Sequence, residues 1–150
     1  MPIPIGYPSG LPAVPDPNYI STRELFRADG LVITAAGNTV TGTTTNQVNG
    51  VTTGIINVQQ VANGLLIVNV SAITGSSTPT LAVFFDVQDA YGNWVTVSNA
   101  TSIGGTAITA TGTVAGPLSA NTVAAFNGRI RWTVSGTTPS FTCSFDLFGR

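Results

Sequence analysis

The chain has 150 residues, of which only 7% are charged, and its net charge is −1 with no histidine. That length serves one domain, enough to bury about two-thirds of the surface its unfolded chain exposes. Without His the usual general base and the commonest metal ligand are missing, and without Lys there is no Walker-type phosphate loop, Schiff base or Ser–Lys dyad.

The charges are unevenly placed. None falls from Gly30 to Phe85 or from Ala90 to Gly128, while Asp16, Arg23, Glu24, Arg27 and Asp29 crowd into one short stretch. The uncharged segments are rich in Val, Ile, Thr and Phe, which argues against disorder. Near-neutral surfaces tend to associate, so this composition suits a surface covered in a permanent assembly, and it suits almost as well a soluble monomer coated with Thr, Asn and Ser. Five Arg against six acidic residues give no basic face, so nucleic acid is not an expected partner.

The N-terminus MPIPIGYPSG has neither a basic region nor an apolar core, so no secretory signal is expected. The apolar runs Leu65–Val68 and Leu81–Phe85 are too short to span a bilayer, and no membrane partner is expected. Cys143 is the single cysteine and has no internal disulfide partner. Asn69-Val-Ser and Asn99-Ala-Thr match the glycosylation pattern and read as chance matches in an Asn- and Thr-rich chain.

Prolines at positions 2, 4, 8, 12, 15 and 17 forbid regular helix or central strand. Residues 1–19 are therefore expected to form an extended, polyproline-like arm. Ile3, Ile5, Tyr7, Leu11, Val14 and Tyr19 lie between the prolines, where a passive linker would carry Ser, Gly or charge. An arm studded in this way suits a groove on a partner. In residues 20–30, Ser21 and Glu24 have capping-box spacing and Gly30 could end a helix, which predicts a short helix or connector.

Residues 31–150 read as strand. The candidates are 31–36, 51–59, 65–73, 81–88, 94–98, 106–114, 129–135 and 141–148. Asn49-Gly50, Asn63-Gly64, Gly92-Asn93, Gly104-Gly105 and Asn127-Gly128 mark turns among them. About eight short strands predict an all-β, antiparallel β-sandwich or jelly roll behind the Pro-rich arm.

One phrase occurs twice. TGSSTPTLAVFFDV (Thr74–Val87) and SGTTPSFTCSFDLFG (Ser135–Gly149) each run from Gly through Ser/Thr to Pro, then alternate and reach Phe-Asp. Each reads as the turn and second strand of a hairpin with one buried face. In the second copy, pairing Val134 with Phe141 sets Trp132 opposite Cys143, Ile130 opposite Phe145, and Arg129 opposite Asp146 as a structural charge pair. The first copy sets Val68 against Phe85.

Chemistry-bearing residues are few. Asp86 and Asp89 could flank a glycoside, but a solvated strand face and a turn account for them. The loop Asp86–Asn93 lacks the acidic density of a calcium loop. Cys143 lies on the core face and reads as a small buried hydrophobe. Tyr91 and Trp94 flank a hairpin tip and could stack on a sugar, although packing in the core or an interface is the expectation for Trp94. No cofactor, metal or catalytic residue is expected.

The run from Arg129 to Leu147 has the form R-x-R-W-x-V, then G-T-x-P-S, then alternating Phe. Together with the Tyr-Gly-Asn-Trp tip in Leu81–Val97, it resembles the closing hairpins of small β-rich virion proteins of tailed bacteriophages. The likeness covers the chain from about Leu66 onward. Among such proteins it implies kinship with capsid decoration (cement) proteins, which are of β-sandwich or jelly-roll build with an N-terminal arm reaching onto neighbours, many of them trimers. The expected function is thus non-enzymatic: a homotrimer bound to the major capsid protein on the virion surface, made in the host cytoplasm. The alternative is a carbohydrate- or surface-binding β-module of a tail fibre, acting through Tyr91 and Trp94.

Overall fold

A computed structural model describes residues 22–59, 61–118 and 126–150. Among these residues there are seven strands: β1 (Arg23–Ile33), β2 (Gly37–Asn38), β3 (Ile56–Asn57), β4 (Gly64–Gln88), β5 (Trp94–Thr96), β6 (Gly112–Pro117) and β7 (Asn127–Gly149). They form one antiparallel sheet, and the helical content of the described residues is a single 3-10 turn at Ile103–Gly105. The all-β, antiparallel expectation holds.

The two copies of the repeated phrase are not two hairpins. β4 and β7 are long strands that pair with each other almost end to end, from Gly64 opposite Gly149 to Val87 opposite Gly128. Both bend at the phrase itself. Gly75, Ser77 and Thr78 in β4, and Gly136 and Thr138 in β7, take positive φ. The bends nest so closely that a methyl at Gly75 would lie 2.9 Å from the Thr138 carbonyl oxygen, and one at Gly136 would lie 2.9 Å from Pro79 Cα. A ladder survives a bend only if both strands bend at the same rung, and Ser76 opposite Thr137 is that rung. The phrase is written twice because two paired strands need the same corner.

The corner divides the sheet into two halves that share β4 and β7. In one half the end of β7 lies between β1 and the start of β4, with β6 outside; in the other, the start of β7 lies between the short β2 and β3 and the end of β4, with β5 outside. The sheet curls until the halves face each other. The Trp132 and Phe145 rings stack with centroids 5.8 Å apart, although thirteen residues of straight strand would hold them roughly 43 Å apart. The expected opposition of Ile130 to Phe145 within a hairpin is therefore replaced by packing across the core. Leu66, Val68, Leu81, Val83, Phe85, Ile130, Phe141 and Phe145 all belong to this core. The buried Trp132 donates its indole N–H to the Ala35 carbonyl, as a buried indole requires.

Residues 23–30 are strand rather than the expected helix. Phe26 and Ala28 are buried while Arg23, Arg27 and Asp29 are exposed, a period of two. Two turns of helix are marginal alone, whereas β1 gains a ladder along β7 from Arg23 opposite Gly149 to Ile33 opposite Phe141. Gly30, expected as a helix stop, has φ +67° and sits in the bulge between Ala28 and Leu31. The edge of β1 is capped by the buried Asn46, which accepts from Arg27 N–H and donates to the Leu25 carbonyl.

Candidate functional site

Alternation decides which side chains leave the core. On the end of β4, Leu81, Val83 and Phe85 point inward, so Phe84 and Asp86 point out; on the start of β7, Ile130 and Trp132 point inward, so Arg129 and Arg131 point out. The register then sets Asp86 opposite Arg129 and opposite Thr96 of β5.

These groups form a closed cluster. Asp86 Oδ2 accepts from Arg129 Nε at 3.0 Å and from Arg131 Nε at 2.9 Å. Its Oδ1 accepts from Thr96 Oγ1 at 2.8 Å, and Arg131 Nη2 donates to Thr96 at 3.0 Å. The guanidiniums lie over aromatic faces, Arg129 over Trp94 at 4.5 Å and Arg131 over Phe84 at 4.3 Å. Burial by itself raises the Asp86 pKa; the hydrogen bonds from Arg131, Thr96 and Arg129 outweigh it and hold the carboxyl below its ordinary value.

The expected pair of Arg129 with Asp146 is corrected accordingly. Arg129 binds Asp86, and Asp146 stands in the other half of the sheet, opposite Arg27 and Ile67. Arg27 turns away from it to Asp29, at 3.0 Å. Asp146 Oδ1 is buried without a hydrogen-bond partner. Burial, then the neighbouring Glu24 carboxylate, raise the Asp146 pKa.

Tyr91 is 92% exposed at the tip between β4 and β5. Its loop is held by Asp89, whose Oδ1 accepts from the Tyr91 and Asn93 backbone N–H groups at 2.9 and 2.8 Å and whose Oδ2 accepts from Asn93 Nδ2. Those bonds, the Asn93 side chain first, lower the Asp89 pKa. Asp89 is thus a turn-former facing its own backbone. Trp94 gives one ring face to Arg129, so it is not the open stacking platform that a sugar at the tip would use. The structure brings Trp94 to Arg129 and leaves Tyr91 solvated.

Burial pushes the Cys143 thiol up to about 11, which keeps it protonated at neutral pH. Among the described residues no group of three or more His, Cys, Asp or Glu side chains could hold a metal.

A surface of another kind lies on the outward face of the half that carries Asp146. Leu65 and Ile67 of β4 and Phe148 of β7 floor a groove of about 450 Å³, with Thr22, Asn63 and Arg150 at its rim. Leu65 is 41% exposed. In the run Leu65-Leu66-Ile67-Val68 both strand faces are apolar, a departure from alternation that the sequence displays and that marks this outward patch. The arm residues Ile3, Ile5, Tyr7, Leu11, Val14 and Tyr19 lie outside the described residues.

No protein-family model, curated protein or solved structure matches this chain.

Proposed function

We propose that the chain is a non-enzymatic structural protein of a bacteriophage virion. In this reading it decorates and stabilises the capsid as a homotrimer, and residues 1–19 clamp the major capsid protein or neighbouring trimers. The two facing halves of the curled sheet serve as the layers of a sandwich. The observation that carries the reading is the apolar groove at Thr22, where the Pro-rich arm joins the body. The polar groups around Asp86 are spent on one another, whereas the sheet face at Thr22 is apolar and exposed, which marks that end of the body as the place from which an apolar arm acts. The resemblance of Arg129–Leu147 to phage virion hairpins supports the same reading.

The energetic logic is avidity. A prolyl arm loses little conformational entropy on ordering, and three arms on one trimer raise the effective concentration of each. Deleting residues 1–18 is expected to leave the far-ultraviolet circular dichroism of a β protein intact while lowering capsid affinity at least a hundredfold in a co-sedimentation assay. Undiminished decoration by the truncated chain rules the clamp out. Light scattering after size-exclusion chromatography is expected to give three times the chain mass.

One observation favours the second reading, a carbohydrate- or surface-binding module: the fully solvated Tyr91 at a rigid tip. Glycan-array binding lost on Tyr91→Ala would establish it over decoration.

A further inference from the structure

We infer that the groove over Leu65, Ile67 and Phe148 is the seat of the arm's own root, residues 15–21 of the same chain. Position is the first argument. Thr22 forms part of the rim, so the segment before it starts at the groove. At no more than about 3.6 Å per residue, Tyr19 lies within roughly 11 Å of Thr22 and Asp16 within roughly 22 Å. The floor is equally close: Leu65 stands opposite Phe148, and Ile67 follows two rungs along, about 7 Å away.

Chemistry is the second. The floor is apolar, and the apolar residues nearest to Thr22 in sequence are Ile20 and Tyr19, beyond Ser21. Asp16 is the single charge in residues 1–22, and the rim carries the cation Arg150. Among the described residues no carboxylate pairs with Arg150. Pro15 and Pro17 lack N–H donors and favour extended backbone, which suits a segment lying on side chains rather than joining the ladder.

The consequence for the arm rests on the decoration reading; the docking does not. With residues 15–21 held on the body, residues 1–14 carry the reach, up to about 43 Å in polyproline geometry. Ile3, Ile5, Tyr7, Leu11 and Val14 are then the groups offered to a neighbour.

The test is a pair of double-cysteine variants of the full chain, oxidised with diamide and analysed by non-reducing gel and intact mass. Ile20→Cys with Leu65→Cys probes the groove. Ile20→Cys with Gln59→Cys is the control, since the Gln59 carbonyl accepts from the Arg23 side chain and so lies near the arm's root but off the groove. The expected result is an intrachain disulfide that forms at least tenfold faster in the Leu65 pair. Ile67→Cys replaces Leu65→Cys if that variant does not fold. Equal rates in the two pairs overturn the inference. So does a disulfide between chains, which would give the groove to the arm of a second copy. Capsid binding does not enter this readout, so the docking and the decoration role fail separately.

Discussion

Asp86 and Asp146 occupy the same place in the two copies of one phrase, each following a buried Phe, yet they meet opposite surroundings. The antiparallel pairing of β4 with β7 makes the comparison close. Asp86 has Thr96 on one side and Arg129 on the other; Asp146 has Arg27 on one side and Ile67 on the other. Where the first half supplies Arg129 and Arg131, the second supplies Ile67 and Asn69. One carboxylate is fully buried and receives two guanidiniums and a hydroxyl, while the other keeps a buried oxygen without a partner beside Glu24. Shared backbone geometry at the corner therefore does not carry shared electrostatics. The Asp86 half has closed its outer face, and the Asp146 half has left its outer face to the groove.

The sharpest way to break this comparison is to remove each carboxylate in turn. Asp86→Ala leaves two partly buried cations facing each other and is expected to cost about 3–5 kcal/mol. Asp146→Ala removes a poorly partnered group and is expected to cost at most about 1 kcal/mol. Urea denaturation of both variants checks the pair, and equal losses would show that the two sites are equivalent after all.

The corner offers a smaller effect. Gly136 has φ +108° and no room for a methyl against Pro79. Gly136→Ala is expected to cost about 2–3 kcal/mol, from a strained backbone and the displaced facing bend. Gly105 also has positive φ, at +92°, but its nearest neighbour atom is 3.9 Å from an added methyl, so Gly105→Ala is expected to cost only about 1 kcal/mol. Thermal melts of the two variants measure the crowding of the nested corner against backbone strain alone.

How much of this was legible in the sequence follows from the same residues. Period-two alternation identified the inward faces of β4 and β7, because alternation reports burial whichever strand lies opposite. It could not choose the partner. Val134 and Phe141 fit a hairpin as well as they fit two strands joined by a corner, and only the nesting of Gly75 against Thr138 and Gly136 against Pro79 distinguishes them. The hairpin pairing gives Arg129 an aspartate partner at Asp146, whereas the corner brings it to Asp86. The stretch 23–30 carries helix signals, capping spacing and a terminal Gly, that are local, whereas the ladder with residues 141–149 that makes it strand is distant in sequence. In sequence, Leu65–Val68 counts only as an apolar run too short for a bilayer; its two-sided hydrophobicity is the signal for the groove, whose place at the arm's root requires the start of β1.

The smallest effect is the most discriminating, because the two carboxyls shift in opposite directions. The Asp86 pKa is lowered on folding, so its contribution is present above the ordinary carboxylate value and is lost as pH falls toward the lowered one. The Asp146 pKa is raised, so the folded chain takes up a proton there before the unfolded chain does. Stability from that site therefore increases as pH falls through the raised value and levels off below the ordinary one. Acidification from neutrality should first stabilise the protein slightly and then destabilise it, giving a maximum near the ordinary carboxylate value. In Asp146→Asn the initial rise should disappear while the acid-side loss remains, since the amide cannot titrate and Asp86 is untouched. Unfolding free energies measured on either side of that value in wild type and variant check the sign at each carboxyl. A rise that survives in Asp146→Asn would overturn its assignment to Asp146.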